Sequence, residues 1–168
     1  MDSAGLRYYE SLTGAWTSRF SFRVTDGRAL RARGLFVWLQ LRMFAVAAAM
    51  GTRMSTTLSR TKDANTFRHT TRVSLLGFTL YVTEEDITLG EDGTAFTMTG
   101  IQRVSMAKSE PYAGNGAVSD DAQGATYHVP FYGADLTQRT LKKDGGLLLT
   151  QETEFSKASV HLMRTAGS

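Results

Sequence analysis

The chain has 168 residues, 42% of them apolar and 21% charged, with a formal net charge of +3 and no cysteine. That length fits one compact domain with a core of its own, and the composition excludes wholesale disorder, collagen-like repeats and a multi-span membrane protein. The missing cysteine removes disulfides, thiolate zinc sites, iron–sulfur clusters and cysteine nucleophiles together.

Charge is unevenly spread. Residues 1–62 carry ten Lys/Arg against three acids, a balance of +7, and the remainder carries −4. A basic face attracts nucleic acid, an anionic membrane or an acidic partner. Here the charges come singly rather than in a run, which reads as a solvated exterior and not as a nucleic-acid site. The opening MDSAGLRYYE lacks the apolar stretch of a secretory signal, so a cytoplasmic location is expected.

Along the chain, period-two alternation dominates. Trp16, Phe20, Phe22 and Val24 share one parity and Thr17, Arg19, Ser21 and Arg23 the other, the pattern of a strand with one buried face. From Arg28 to Met50 the pattern breaks: the stretch is rich in Ala, Leu and Met, holds only Gly34 as a weak point, and predicts a helix with Asp26 as its cap. The apolar run 34–51 approaches membrane-spanning length. Arg42 near a bilayer centre would cost about 2.5–3.5 kcal/mol, however, and the strands on either side belong to one β system. A helix covering a barrel mouth is the expectation, with a membrane-surface contact flanked by Arg28, Arg31 and Arg33 as the alternative.

Further strands are predicted over 53–60, 66–75 (Phe67, His69, Thr71, Val73 and Leu75 on one face), 78–83 (Phe78, Leu80, Val82 inward) and 86–90. The rest are 95–104 (Phe96, Met98), 125–132 (Tyr127, Val129, Phe131), 135–143, 146–155 and 158–164, ten in all with the first. Turn residues at Gly77, Gly90-Glu91-Asp92-Gly93 and Lys143-Asp144-Gly145-Gly146 imply antiparallel neighbours. Segment 106–124, rich in Gly, Ser, Ala and Asp without periodicity, reads as a long loop. The whole is mainly β: one antiparallel up-and-down barrel of about ten strands, with a helical insert at about 28–50 between the first two. Closure both covers the buried face and removes exposed edges, and a sandwich is the second choice.

The stretch Leu12-Thr13-Gly14-Ala15-Trp16 resembles the Gly-x-Trp motif that opens the first strand of the calycins, the lipocalins and fatty-acid-binding proteins. Arg164 on the last strand is similar to the basic residue that packs across that tryptophan, and the 28–50 insert to the lid of the fatty-acid-binding branch. The resemblance implies a barrel cavity for a hydrophobic small molecule. Two departures stand against it: the long 106–124 segment, and Thr165-Ala166 after Arg164 where fatty-acid-binding proteins complete an Arg-x-Tyr pair. The second speaks against capture of a fatty-acid carboxylate.

His69 is the most informative titratable residue, since alternation places it inward beside Phe67 and Val73. The competing reading is a core histidine satisfied by threonine or backbone. His128 and His161 fall on outward parities, so a three-histidine metal site is not expected, and no cofactor motif is present. Glu84-Glu85-Asp86 reads as a solvated turn, with calcium binding as the alternative. No nucleophile elbow, P-loop or dinucleotide fingerprint occurs.

The favoured reading is a carrier of one hydrophobic small molecule such as a lipid or polyketide. Its expected lining is Trp16, Phe20, Phe22, Phe67, Phe78, Met98, Tyr127 and Phe131, with Arg164 a further contact or a structural latch. The alternative is a cofactor-free cyclase or isomerase in which His69, Tyr127 and Gln151 orient an apolar, polyketide-like substrate and stabilise charge.

Overall fold

A computed structural model describes residues 3–104 and 109–165. The elements in chain order are α1 (Ala4–Leu12), β1 (Gly14–Arg19), β2 (Ser21–Val24), α2 (Gly27–Ala32), α3 (Leu35–Ala49), β3 (Arg53–Arg60) and β4 (Thr66–Leu75). They continue as β5 (Phe78–Leu89), β6 (Ala95–Val104), β7 (Glu110–Val118), β8 (Gly124–Phe131), β9 (Ala134–Lys143), β10 (Gly146–Glu152) and β11 (Ser156–Arg164). From β3 to β11 every strand pairs with its sequence neighbours, and β1 joins β3 to β11, so the antiparallel sheet closes on itself. β1 and β2 are two halves of one strand bent at Phe20: the first half pairs with β3 and the second with β11. At the bend the Phe20 N–H leaves the ladder and donates to the Thr52 carbonyl at 3.0 Å. Counted this way, the barrel has ten strands.

The expected count is met through two compensating differences. Segments 78–83 and 86–90 are one continuous strand, β5, because Glu84-Glu85-Asp86 lies mid-strand and not in a turn. The expected loop 106–124 contains β7 over Glu110–Val118; residues 106–108 lie outside the described residues. This strand alternates Tyr112, Gly114, Gly116 and Val118 inward, and the glycines mask its periodicity. They are there for close approach: a Cβ at Gly116 would sit 2.5 Å from the Phe96 ring, and one at Gly114 2.4 Å from the His128 carbonyl oxygen.

The single helix expected at 28–50 is two. Gly34 takes φ +113°, a backbone region that suits glycine, and breaks the run into α2 and α3. Asp26 caps α2, accepting from Arg28 N–H at 2.8 Å and Ala29 N–H at 3.0 Å. α1 has no counterpart among the predicted elements. Its Tyr8, Tyr9 and Leu12 point into one end of the barrel, whose core continues through Phe67, Phe96, Leu147 and Leu162. α2 and α3 lie across the other end, where Leu30, Leu41, Ala134 and Phe155 form a smaller cluster. No helix among the described residues is long and apolar enough to cross a membrane.

Candidate functional site

Alternation directs one row of every strand inward, and the barrel interior is a file of three chambers, each of about 40 Å³. The outermost lies under the lid, between Leu41 and Phe44 of α3 and Phe20, Phe22, Tyr81, Phe131 and Gln151. The middle one holds most of the polar groups, His69, Thr71, Thr83, Glu85, Gln102, Tyr112, Gln138 and Gln151 with Tyr81 and Tyr127, set among Phe20, Met54, Val73, Val129, Phe131 and Leu136. The innermost is closed by Tyr8, Tyr9, Leu12 and Trp16. Phe20, Tyr81, Phe131, Leu136 and Gln151 separate the first two, and His69 and Tyr127 the last two. Ligand pockets typically measure ~300–1,000 Å³. A molecule longer than one chamber therefore has to turn aside one of these shared side chains. A wider, open depression of about 600 Å³ lies outside the barrel interior, on the outer face of β7–β10.

At the centre of the middle chamber the Glu85 carboxylate accepts two hydrogen bonds. His69 Nδ1–H donates to Oε2 at 2.8 Å, and the Tyr112 hydroxyl donates to Oε1. The opposite ring nitrogen, Nε2, is 2.6 Å from Thr56 Oγ1, which itself donates to the Thr70 carbonyl at 3.1 Å. His69 and Glu85 face each other across β4 and β5, while Thr56 on β3, paired with Thr71, reaches His69 diagonally. Burial, reinforced by the nearby Glu85 charge, pushes the Tyr81, Tyr112 and Tyr127 phenols well above their ordinary value of 10.0. All three therefore remain protonated donors at neutral pH. Gln151 Nε2 donates to Gln138 Oε1 at the boundary of the first two chambers.

Several of the residues expected from sequence meet here. His69, Tyr127, Gln151, Trp16, Phe20, Phe22 and Phe131 all line a chamber. Phe67 and Met98 are fully buried in the core but line none of the three. Phe78 does not belong to the site: it is 76% exposed. It pairs with Leu75 at the end of the β4–β5 hairpin, beside the exposed Leu76-Gly77 turn; further along, a bulge sets Val73 against Tyr81 while Ser74 faces Thr79, so Leu80 is an extra residue. One inserted residue moves the inward row from even to odd numbers. That places Tyr81, Thr83, Glu85 and Ile87 inside, and the same shift turns Glu85 from an expected solvated acid into the buried centre of the site.

Arg164 stands outside the chambers. Its guanidinium lies 4.8 Å from the centroid of the Trp16 ring and donates to the Ser11 carbonyl at 2.7 Å, a latch between β11 and α1. Glu85, Tyr81, Tyr112 and Gln138 are the residues that sequence reading missed. Tyr112 sat in the glycine-rich stretch, yet its parity with Val118 was the signal available.

The fold is a closed antiparallel barrel of ten strands, with α2 and α3 over one end and α1 in the other. Solved structures share it across nearly the whole chain. The "REP1-NXSQ fatty acid transporter" is 12% identical with a TM-score of 0.51, over 95% of this chain and 99% of that one. An asparagine-to-alanine mutant of the fluorescent protein UnaG is 15% identical with a TM-score of 0.50, over 94% and 99%. Neither a protein-family model nor a curated protein sequence matches the chain. At these identities the likeness concerns the fold.

Proposed function

We propose that the protein is a cytoplasmic carrier that holds one hydrophobic small molecule along the barrel axis, its polar group in the middle chamber. The observation that carries this reading is the file of chambers, apolar at both ends and polar only around Glu85 and His69. An apolar pocket with a few convergent polar groups is the usual form of a small-molecule site. The fatty acid transporter among the structures sharing the fold is in keeping with it. Native mass spectrometry of the purified protein, followed by organic extraction, tests the reading. It expects one apolar molecule per chain, retained in the His69→Ala variant; a protein that neither carries nor accepts an apolar ligand overturns it.

Loading at an anionic lipid surface belongs to the same reading. On α3, Phe36, Leu39, Met43, Val46 and Met50 recur every three and four residues, and each is at least half exposed. No acid occurs between Asp26 and Asp63, while Arg28, Arg31, Arg42 and Arg53 lie exposed in that interval. An apolar helix face ringed by arginines suits the headgroup region of anionic lipid. Flotation with phosphatidylglycerol vesicles should recover the protein at low salt and lose it in the Phe36→Ser/Met43→Ser double variant. Equal recovery of both proteins contradicts it.

A second reading, a cofactor-free isomerase or cyclase, is supported by the His69–Glu85 pair. A carboxylate behind an imidazole orients it for proton transfer. A proton taken from one substrate carbon and returned to another leaves the composition unchanged. Tyr127 and Gln151 then orient the substrate. Extraction of a rearranged product whose formation stops in His69→Ala favours this reading over carriage.

A further inference from the structure

The sign of charge inside the barrel narrows the ligand. Among the described residues lining the three chambers, Glu85 is the one carboxylate and His69 the one basic group; neither lysine nor arginine is among them. The inward cations of β9 and β11 are spent at the floor: Lys142 lies 5.1 Å from the Tyr8 ring centroid and donates to the Ala122 carbonyl, and Arg164 is held by Trp16 and Ser11. His69 in turn gives its Nδ1–H to Glu85, so among the described residues no free cation faces the middle chamber.

Glu85 is buried, and an ionised carboxylate offers about four acceptor positions. His69 and Tyr112 occupy two of them, one on each oxygen. The remaining capacity belongs to a carboxylate that lines the chamber and, among the described residues, accepts no further hydrogen bond. A second carboxylate brought here would meet a like charge with little water between them. A donor head would complete the set instead, with the Gln138 and Gln151 amides and the Tyr81 and Tyr127 phenols lining the same chamber.

We infer that the barrel selects an apolar molecule whose polar end donates hydrogen bonds, a primary alkylammonium first and an alcohol second, and discriminates against a carboxylate. The inference rests on the barrel interior being the ligand site, and Glu85 is its specificity-determining residue.

Dodecylammonium, dodecanol and dodecanoate share a chain length and differ in the head. Each is titrated at pH 7 into the full-length protein, with stoichiometry read by native mass spectrometry and occupancy by the NMR shift of the His69 imidazole. The expected order is dodecylammonium, dodecanol, dodecanoate, with the first at least about 30-fold tighter than the last, the scale of a hydrogen bond to a charged group. In Glu85→Gln that ratio falls to within about threefold. Dodecanoate binding as tightly as dodecylammonium to the unaltered protein, which needs no variant to show, overturns the inference and leaves the carrier reading standing. A preference that survives Glu85→Gln overturns the assignment to Glu85. No binding of any of the three, or binding without a His69 shift, overturns the interior site itself and both readings with it.

Discussion

At the floor of the barrel α1 buries Tyr8, Tyr9 and Leu12 completely or nearly so, whereas α3 at the mouth buries Leu41 and Ala48 and turns five large apolar side chains outward. The floor is also stapled by directional bonds. The Tyr8 hydroxyl meets Thr140 Oγ1, Tyr9 stacks on Phe67 at 5.4 Å, Trp16 Nε1–H donates to the Leu12 carbonyl at 2.8 Å, and Gly5 N–H donates to the Gly93 carbonyl at 2.8 Å. Gly5 has to be glycine, since a Cβ there would lie 2.7 Å from that same oxygen. The lid is held by the Leu30, Leu41, Ala134 and Phe155 cluster, the Arg33 pair with Glu154, the Arg33 bond to the Gly133 carbonyl, and Phe44 against Phe20 and Phe22. Two helices of similarly apolar inner faces thus do different work. One completes the main core, and the other covers the mouth over a smaller cluster of its own.

The sharpest way to break this contrast is to empty each end in turn. Tyr9→Ala should cost about 3–5 kcal/mol of stability in urea denaturation, the range for a large buried aromatic. Phe44→Ala, at a half-buried site, should cost about 1–2 kcal/mol. Equal losses would mean the lid is as integral as the floor. Arg164→Met comes next, at about 1–2 kcal/mol, through the lost ring contact and the bond to Ser11. Because Arg164 faces no chamber, the same variant should leave ligand affinity unchanged, and a loss of affinity would return it to the binding site. The Phe36→Ser/Met43→Ser double variant should unfold within about 0.5 kcal/mol of the unaltered protein, since it removes exposed side chains only; a large loss would reveal a hidden role in the core.

The smallest effect concerns acid. Backbone N–H bonds from Ala29 and Arg28 hold the Asp26 carboxyl below its ordinary value of 3.8. A lowered folded value means that the α2 cap is complete above 3.8 and is lost as pH falls through the folded value. Protection from hydrogen exchange, corrected for the intrinsic rate, should therefore fall in α2 below pH 3.8 before it does in α1, and Asp26→Asn should flatten that dependence. Faster exchange in α1 first would reverse the assignment of the two ends.

Much of the barrel was legible because one buried face imposes period two over long strands, as Trp16 to Val24 and Phe67 to Val73 show. The lid was legible through its apolar run and Asp26. What escaped has specific physical causes. A one-residue bulge at Leu80 reverses which face of β5 is inside, and no periodicity count over 78–89 carries that information. In β7, glycine stands where the neighbouring strands leave no room for a side chain, so a real strand wears the composition of a loop. α1 is short, and its Tyr8, Tyr9 and Leu12 become a plug only once the barrel exists to receive them. For the site, His69 was recoverable from parity, while its partner Glu85 was hidden by the bulge and Tyr112 by the glycines.

A one-equivalent titration of the isotope-labelled protein with dodecanol, followed by NMR chemical-shift mapping, tests the central claim most directly. A neutral probe makes the result independent of head-group preference. Shifts are expected at His69, Tyr81, Tyr127 and Gln151 inside the barrel and along α2–α3 at its mouth. Shifts confined to the outer stripe of α3, with the interior silent, would contradict it and leave the barrel as a scaffold for a surface helix.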